Sequence, residues 1–249
     1  MDIKNLEKLP QNVQSILKPF VEHLYETYGE EMVSVFAYGS VTTAGYEPKT
    51  SDINIAVVLK DTSLLKLKGS LKMIRKGLRK KVTAPLFLTP EYIKMSLDTF
   101  PMEFMSMKDS RLCLFGNDIL ADIEVNREDL RRECEYQIKG KLLTIRQAYL
   151  EKALSRKGLE NLIKVSFRAL IPIFRSILRI NSGEVPPLEK EEVLCQVSEE
   201  FDVDVSAFLE ILRDKKTDGR VGEKDAEVFL DEFIVQLERL SSIVDRIQI

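Results

Sequence analysis

VSVFAYGSVTTAGYEPKTSDINIAVVL, residues 33–59, opens with the apolar Val33, Val35, Phe36 and Ala37 and breaks at Gly39-Ser40. It then crosses a loop containing Gly, Pro and Thr, and resumes as Ile53, Ile55, Ala56, Val57, Val58 and Leu59. Two apolar runs of strand length around a turn-rich loop predict strand, turn, short helix or loop, and strand. Two features separate this stretch from a buried hairpin. A Gly-Ser follows the first strand at once, and a charged residue, Asp52, stands at the mouth of a second strand too apolar to favour a charge.

The arrangement Tyr38-Gly39-Ser40, Gly45, Ser51-Asp52-Ile53-Asn54 resembles the nucleotidyltransferase superfamily of polymerase-beta-like fold. That family carries an apolar strand ending in Gly-Ser and, on the next strand, Asp-x-Asp. The resemblance covers roughly the first half of the chain and departs at one position: the second aspartate of the pattern is Asn54 here. It implies that Gly39 and Ser40 hold the β and γ phosphates of a nucleoside triphosphate, and that Asp52 and Asn54 occupy the magnesium-binding positions. The implied reaction is Mg-dependent transfer of a nucleoside monophosphate from the triphosphate to a hydroxyl-bearing acceptor. Charge builds on oxygens at both ends of such a displacement, and carboxylate-held divalent ions are the usual means of stabilising it. Glycine allows the backbone to approach the phosphates, and serine and the adjacent N–H groups donate hydrogen bonds to them.

The carboxylate set is short. Asn54 supplies an amide oxygen but no negative charge, a poor match for a small hard cation. Residues 84–89 (APLFLT), the expected third strand, contain no acid. Glu103, in PMEFMSM, is then the candidate for the family's third acid, as a lone acid in an apolar run read here as a strand. An edge-strand glutamate facing solvent fits the same residues.

Outward from the central stretch, Val13, Ile16, Leu17, Phe20, Val21, Leu24 and Tyr28 fall at helical spacing and stop at Gly29, predicting a helix over 11–28. A helix over 64–80, weakened by Gly69 and Gly77, a strand over 82–88 and a short helix from Pro90 to about Leu97 follow. Residues 101–107 and 111–115 read as extended segments around the turn Lys108-Asp109-Ser110. From about Asn126 the period is helical throughout: helices over 127–155, over 158–180 with a kink at Pro172, and then over 189–200, 204–213 and 223–247. The expected fold is α+β: a nucleotidyltransferase-like domain of mixed sheet and helices over residues 1–125, followed by a helical bundle over 126–249, with the active-site cleft between them. In related enzymes a helical C-terminal domain closes over the acceptor, and the resemblance implies the same for residues 126–249.

Composition narrows the partners. A net charge of −3 over 249 residues gives no general pull towards nucleic acid or a membrane. Eight cations and no acid fall within residues 66–81. That run reads as a solvated helix face, because aromatics for base stacking are absent, with a phosphate-steering or RNA-facing role as the alternative. Cys113, Cys134 and Cys195 lie far apart, without metal or disulfide spacing, and no apolar run is long enough to span a bilayer. A reducing cytoplasm is the expected location. His23, the sole histidine, leaves no residue set for Ser-His-Asp or histidine-metal chemistry.

Three readings follow. The first is a nucleotidyltransferase acting on a small-molecule or protein acceptor, its activity full, weak or lost. The second is a degenerate member that binds a nucleotide or a protein partner without transfer. The third is a structural helical protein whose Gly-Ser and Asp52 corner is filled by side chains.

Overall fold

The computed structural model describes residues 2–214 and 226–247. The chain separates into two compact units, Met1–Val125 and Asn126–Ile249. The first contains helix α1 (Gln11–Tyr28), strands β1 (Met32–Tyr38) and β2 (Asn54–Leu59), and helices α2 (Leu64–Leu67) and α3 (Leu71–Leu78). Strand β3 (Leu86–Leu88), helices α4 (Pro90–Met95) and α5 (Pro101–Asp109) and strand β4 (Arg111–Gly116) complete it. Among its described residues the second unit contains α6 (Arg127–Lys152), α7 (Arg156–Arg168), α8 (Ile171–Ser182), α9 (Lys190–Phe201), α10 (Ser206–Asp214) and α11 (Ala226–Arg246). The fold is α+β, as the sequence predicts.

The four strands form one mixed sheet in the order β3-β2-β1-β4. β1 pairs antiparallel with both β2 and β4, and β2 pairs parallel with β3. Val35 and Ala37 on β1, with Ile55 and Val57 on β2, point to the face covered by Val13, Leu17, Val21 and Leu24 of α1 and by Met73 of α3. Phe36, Ala56 and Val58 point to the opposite face, against Ile93, Phe104 and Met107 of α4 and α5. Helices on both faces explain why the central strands are almost uninterruptedly apolar instead of alternating. They also leave the strand ends as the places where a polar group reaches water.

At β4, Gly116 has φ +75°, and a Cβ there would lie 1.9 Å from the Val33 carbonyl oxygen, so no other residue fits that close crossing of β1.

Residues 101–107 are helical, not extended. A short apolar run does not distinguish strand from helix by its pattern. Here Pro101 occupies the first turn, where its missing N–H is harmless, and Glu103 and Ser106 lie three residues apart on the less buried side. Three other boundaries shift. The helix over 64–80 is divided by a 3-10 turn at Lys68–Ser70, which contains Gly69. The strand over 82–88 is regular only at Leu86–Leu88, with a single bridge from Val82 to Ile53. The expected kink at Pro172 is a full break between α7 and α8, because proline fits the opening turn of a new helix. The expected helix over 223–247 is seen from Ala226; residues 223–225 lie outside the described residues.

In the second unit, α6 buries Leu130, Cys134, Ile138, Leu142 and Ile145 at helical spacing. Phe208 of α10 sits among Phe167, Phe174 and Phe233, with ring centroids 6.1, 5.4 and 5.0 Å away. Asn126 opens α6 by accepting the Glu128 N–H at 2.8 Å through its side chain, a standard N-cap.

Candidate functional site

β1 ends at Tyr38, opposite Asn54 at the start of β2. Gly39 follows with φ +79°, turning the chain into a 3-10 turn over Gly39–Thr42. A Cβ on Gly39 would lie 3.1 Å from the Asn54 Nδ2, so the turn backs directly onto the Asn54 amide. The absence of a side chain therefore serves both the left-handed conformation and the close approach.

The turn is held from α5. The Gly39 N–H donates to the Ser110 Oγ at 3.0 Å, and the Ser110 hydroxyl donates to the Ser106 carbonyl at 2.7 Å. The Thr42 hydroxyl lies within hydrogen-bonding distance of the Gly39 carbonyl, at 2.8 Å, and of the Ser110 carbonyl. Ser40 is half-buried; its carbonyl accepts from Thr43, while its hydroxyl makes no hydrogen bond to a described residue. Burial raises the Tyr38 phenol above its ordinary value, keeping it a neutral hydroxyl beside the turn.

Asp52 and Asn54 flank Ile53, which is buried and bridged to Val82, so along this extended segment their side chains leave on the face opposite to Ile53. Asp52 is exposed, and its carboxylate has no hydrogen bond or ion pair to a described residue. Asn54 is engaged: its Oδ1 accepts from the Thr83 hydroxyl at 3.2 Å, and the same hydroxyl lies 3.4 Å from the Ile53 carbonyl. The loop leading to Asp52 is fastened by Lys81, whose ammonium donates to the carbonyls of Pro48 and Lys49.

Gly39 and Asn54 thus touch, and Asp52 lies two residues from that contact. Glu103 does not join them through any described interaction. It sits exposed on the first turn of α5, without a hydrogen bond or ion pair among the described residues. Two residues that the sequence reading did not single out shape the corner, Ser110 and Thr83. Each acts across a separation in sequence of 71 and 29 residues respectively, and neither belongs to a local motif.

The donors do not fit a two-metal centre. Among the described residues no second carboxylate is seen to join Asp52 in a metal-binding group, and the Asn54 amide oxygen already accepts a hydrogen bond. Among the described residues no group of three or more His, Cys, Asp or Glu side chains is placed to hold a metal ion. Magnesium held by protein alone takes an octahedral oxygen shell and favours carboxylates.

No protein-family model matches the chain, and no curated protein matches it in sequence. Among solved structures, its fold is similar to that of the spectinomycin adenyltransferase AAD(9) from Enterococcus faecialis, determined with ATP and spectinomycin. The match has a TM-score of 0.57 at 12% identity and covers 90% of this chain and 98% of that one. At this identity the likeness is one of fold: an α+β arrangement in which helices follow the sheet, shared with that adenyltransferase.

Proposed function

We propose that this chain binds a nucleoside triphosphate, with the magnesium ion it carries, at the corner formed by Gly39, Ser40 and Asp52, and that its nucleotidyl transfer is weak or lost. Gly39 brings the backbone close to the terminal phosphates, the Ser40 hydroxyl donates to them, and the Asp52 carboxylate receives the incoming cation. The observation that carries this reading is the Asn54–Thr83 hydrogen bond beside a lone free carboxylate. The corner keeps groups that grip phosphate and lacks the paired acids that stabilise a displacement at the α-phosphate. The fold neighbour, determined with ATP, supports the choice of ligand class.

A second reading is a transferase that retains activity on a small-molecule or protein hydroxyl. The free state of the Asp52 carboxylate favours it, since an abandoned site has no need of an exposed acid beside a phosphate-type turn.

Thermal unfolding with ATP, GTP, CTP and UTP, each with and without magnesium, tests the binding claim in the wild type and in Asp52→Ala. A ligand at a hundred times its dissociation constant stabilises the native state by about 2.7 kcal/mol. A magnesium-dependent shift in the wild type, absent in the variant, is expected; no shift with any nucleotide refutes the assignment. Pyrophosphate release in the presence of hydroxyl-bearing acceptors separates the two readings. Multiple turnover would establish the transferase.

A further inference from the structure

The surface formed by α2 and α3 combines two features that a simple solvated face does not. It is basic without interruption: residues 62–90 contain no Asp or Glu. Lys68, Lys72, Arg75, Lys76, Arg79 and Lys80 are exposed and have no ion pair among the described residues. Lys66 alone faces acids: Glu31 lies 3.8 Å away, and Asp61, just before α2, interacts with its charge.

It also holds leucines out in water. Leu64 and Leu65 are 85% and 84% exposed, and Leu71 and Leu78 are 59% and 54% exposed. On α3, Leu71, Arg75 and Leu78 fall at i, i+4 and i+7, one stripe on the outer side. The inner side is fixed by Met73 and Gly77. A Cβ on Gly77 would lie 2.9 Å from the Phe20 ring and 3.3 Å from Val82, so the helix is pressed against α1 and its outer leucines cannot turn inward.

We infer that this surface docks on an anionic lipid bilayer, with Leu64, Leu65, Leu71 and Leu78 entering the headgroup–acyl boundary and the surrounding cations neutralising lipid phosphates. Complementary charge selects an anionic partner, and the leucines select among anionic partners. A nucleic-acid backbone would satisfy the cations and leave four leucines in water, and the run offers no aromatic for base stacking. A bilayer interface satisfies both, because aliphatic side chains partition into it while the long lysine and arginine stems keep their charged ends at headgroup level. The attachment is peripheral: among the described residues no helix is long and apolar enough to cross a membrane. It does not depend on whether the Gly39–Ser40 corner binds nucleotide.

Flotation of the full chain with vesicles of phosphatidylcholine, alone or mixed with phosphatidylglycerol, tests the inference. The expected result is flotation with the mixed vesicles only, weakening as salt is raised. A variant carrying Lys72→Gln, Arg75→Gln and Lys76→Gln should partition less by about five-fold per charge removed. A variant carrying Leu64→Ser and Leu65→Ser should lose about ten-fold or more at constant salt. All five side chains are exposed, so both variants should melt with the wild type. Failure of the wild type to float with anionic vesicles overturns the inference. Flotation of the leucine variant equal to that of the wild type also overturns it, as does tighter binding to a single-stranded oligonucleotide that the leucine substitutions leave unchanged. The last result would reassign the surface to nucleic acid.

Discussion

Asn54 shows how one atom pair changes what a corner can do. Its side-chain oxygen is directed at the Thr83 hydroxyl, so a ligand position in the resembling family becomes part of an internal hydrogen bond. Asn54→Asp would place a second carboxylate there, which Thr83 could still serve as a donor. If the family geometry is otherwise preserved, magnesium affinity in the presence of nucleotide should rise by about ten-fold or more, read by calorimetric titration. An unchanged affinity in a folded variant would argue against that geometry. Glycine positions make a second residue-scale prediction. Gly39→Ala should cost about 1–2 kcal/mol from the left-handed backbone alone, whereas Gly116→Ala adds a collision with backbone and should cost about 3 kcal/mol or more, both read by urea unfolding. The turn at Gly39-Ser40 and the exposed position of Asp52 were legible because a turn glycine and a charge interrupting an apolar run are local signals. Thr83 and Ser110 were not, since their roles exist only once the strands have paired.

At the scale of elements, α5 shows where the pattern misled. Residues 101–107 are mostly apolar because α5 packs its Phe104 and Met107 against the sheet, and burial on several sides erases the period that identifies a helix. The consequence for Glu103 is direct: the expected strand position becomes an exposed position in the first turn of α5. Glu103→Gln should therefore leave nucleotide affinity within about two-fold of the wild type, a comparison that thermal titration can make. Helices α6, α7 and α11 were readable because each buries one stripe and keeps the other face in water. On α6, Gly140 is an exception to good helix-forming sequence, and a Cβ there would meet nothing within 4 Å. Gly140→Ala should stabilise the chain by about 1 kcal/mol, seen as a higher Tm.

For the whole molecule, the two compact units have different polar architectures. The first is a sheet covered on both faces by helices, with the candidate residues Gly39, Ser40 and Asp52 at strand ends and in the loop between β1 and β2. The second is helical, and within it the buried Arg175 Nε donates to the Pro187 carbonyl at 2.9 Å. Thiol chemistry samples both. Cys195 is exposed, while burial raises the Cys113 and Cys134 thiols well above their ordinary value. A thiol reagent should modify Cys195 in the native protein and reach the other two only after unfolding, a difference that mass spectrometry resolves. The α+β class followed from sequence because the change of period near Asn126 is long-range and sustained. The sheet order did not, because strand neighbours are chosen by packing across the whole unit.

The double pairing of β1 has a consequence in time. Its backbone amides are tied to β2 on one side and β4 on the other, with Val35, Phe36 and Ala37 fully shielded by helices above and below. Releasing those protons to solvent requires both ladders to part, so deuterium should enter Val35–Ala37 last in the first unit, near the rate of global opening. The loop from Gly45 to Asp52, whose amides are held only by local turn bonds, should exchange earlier. A gradient of isotope uptake would then run along a short length of chain, with β1 as its slow end.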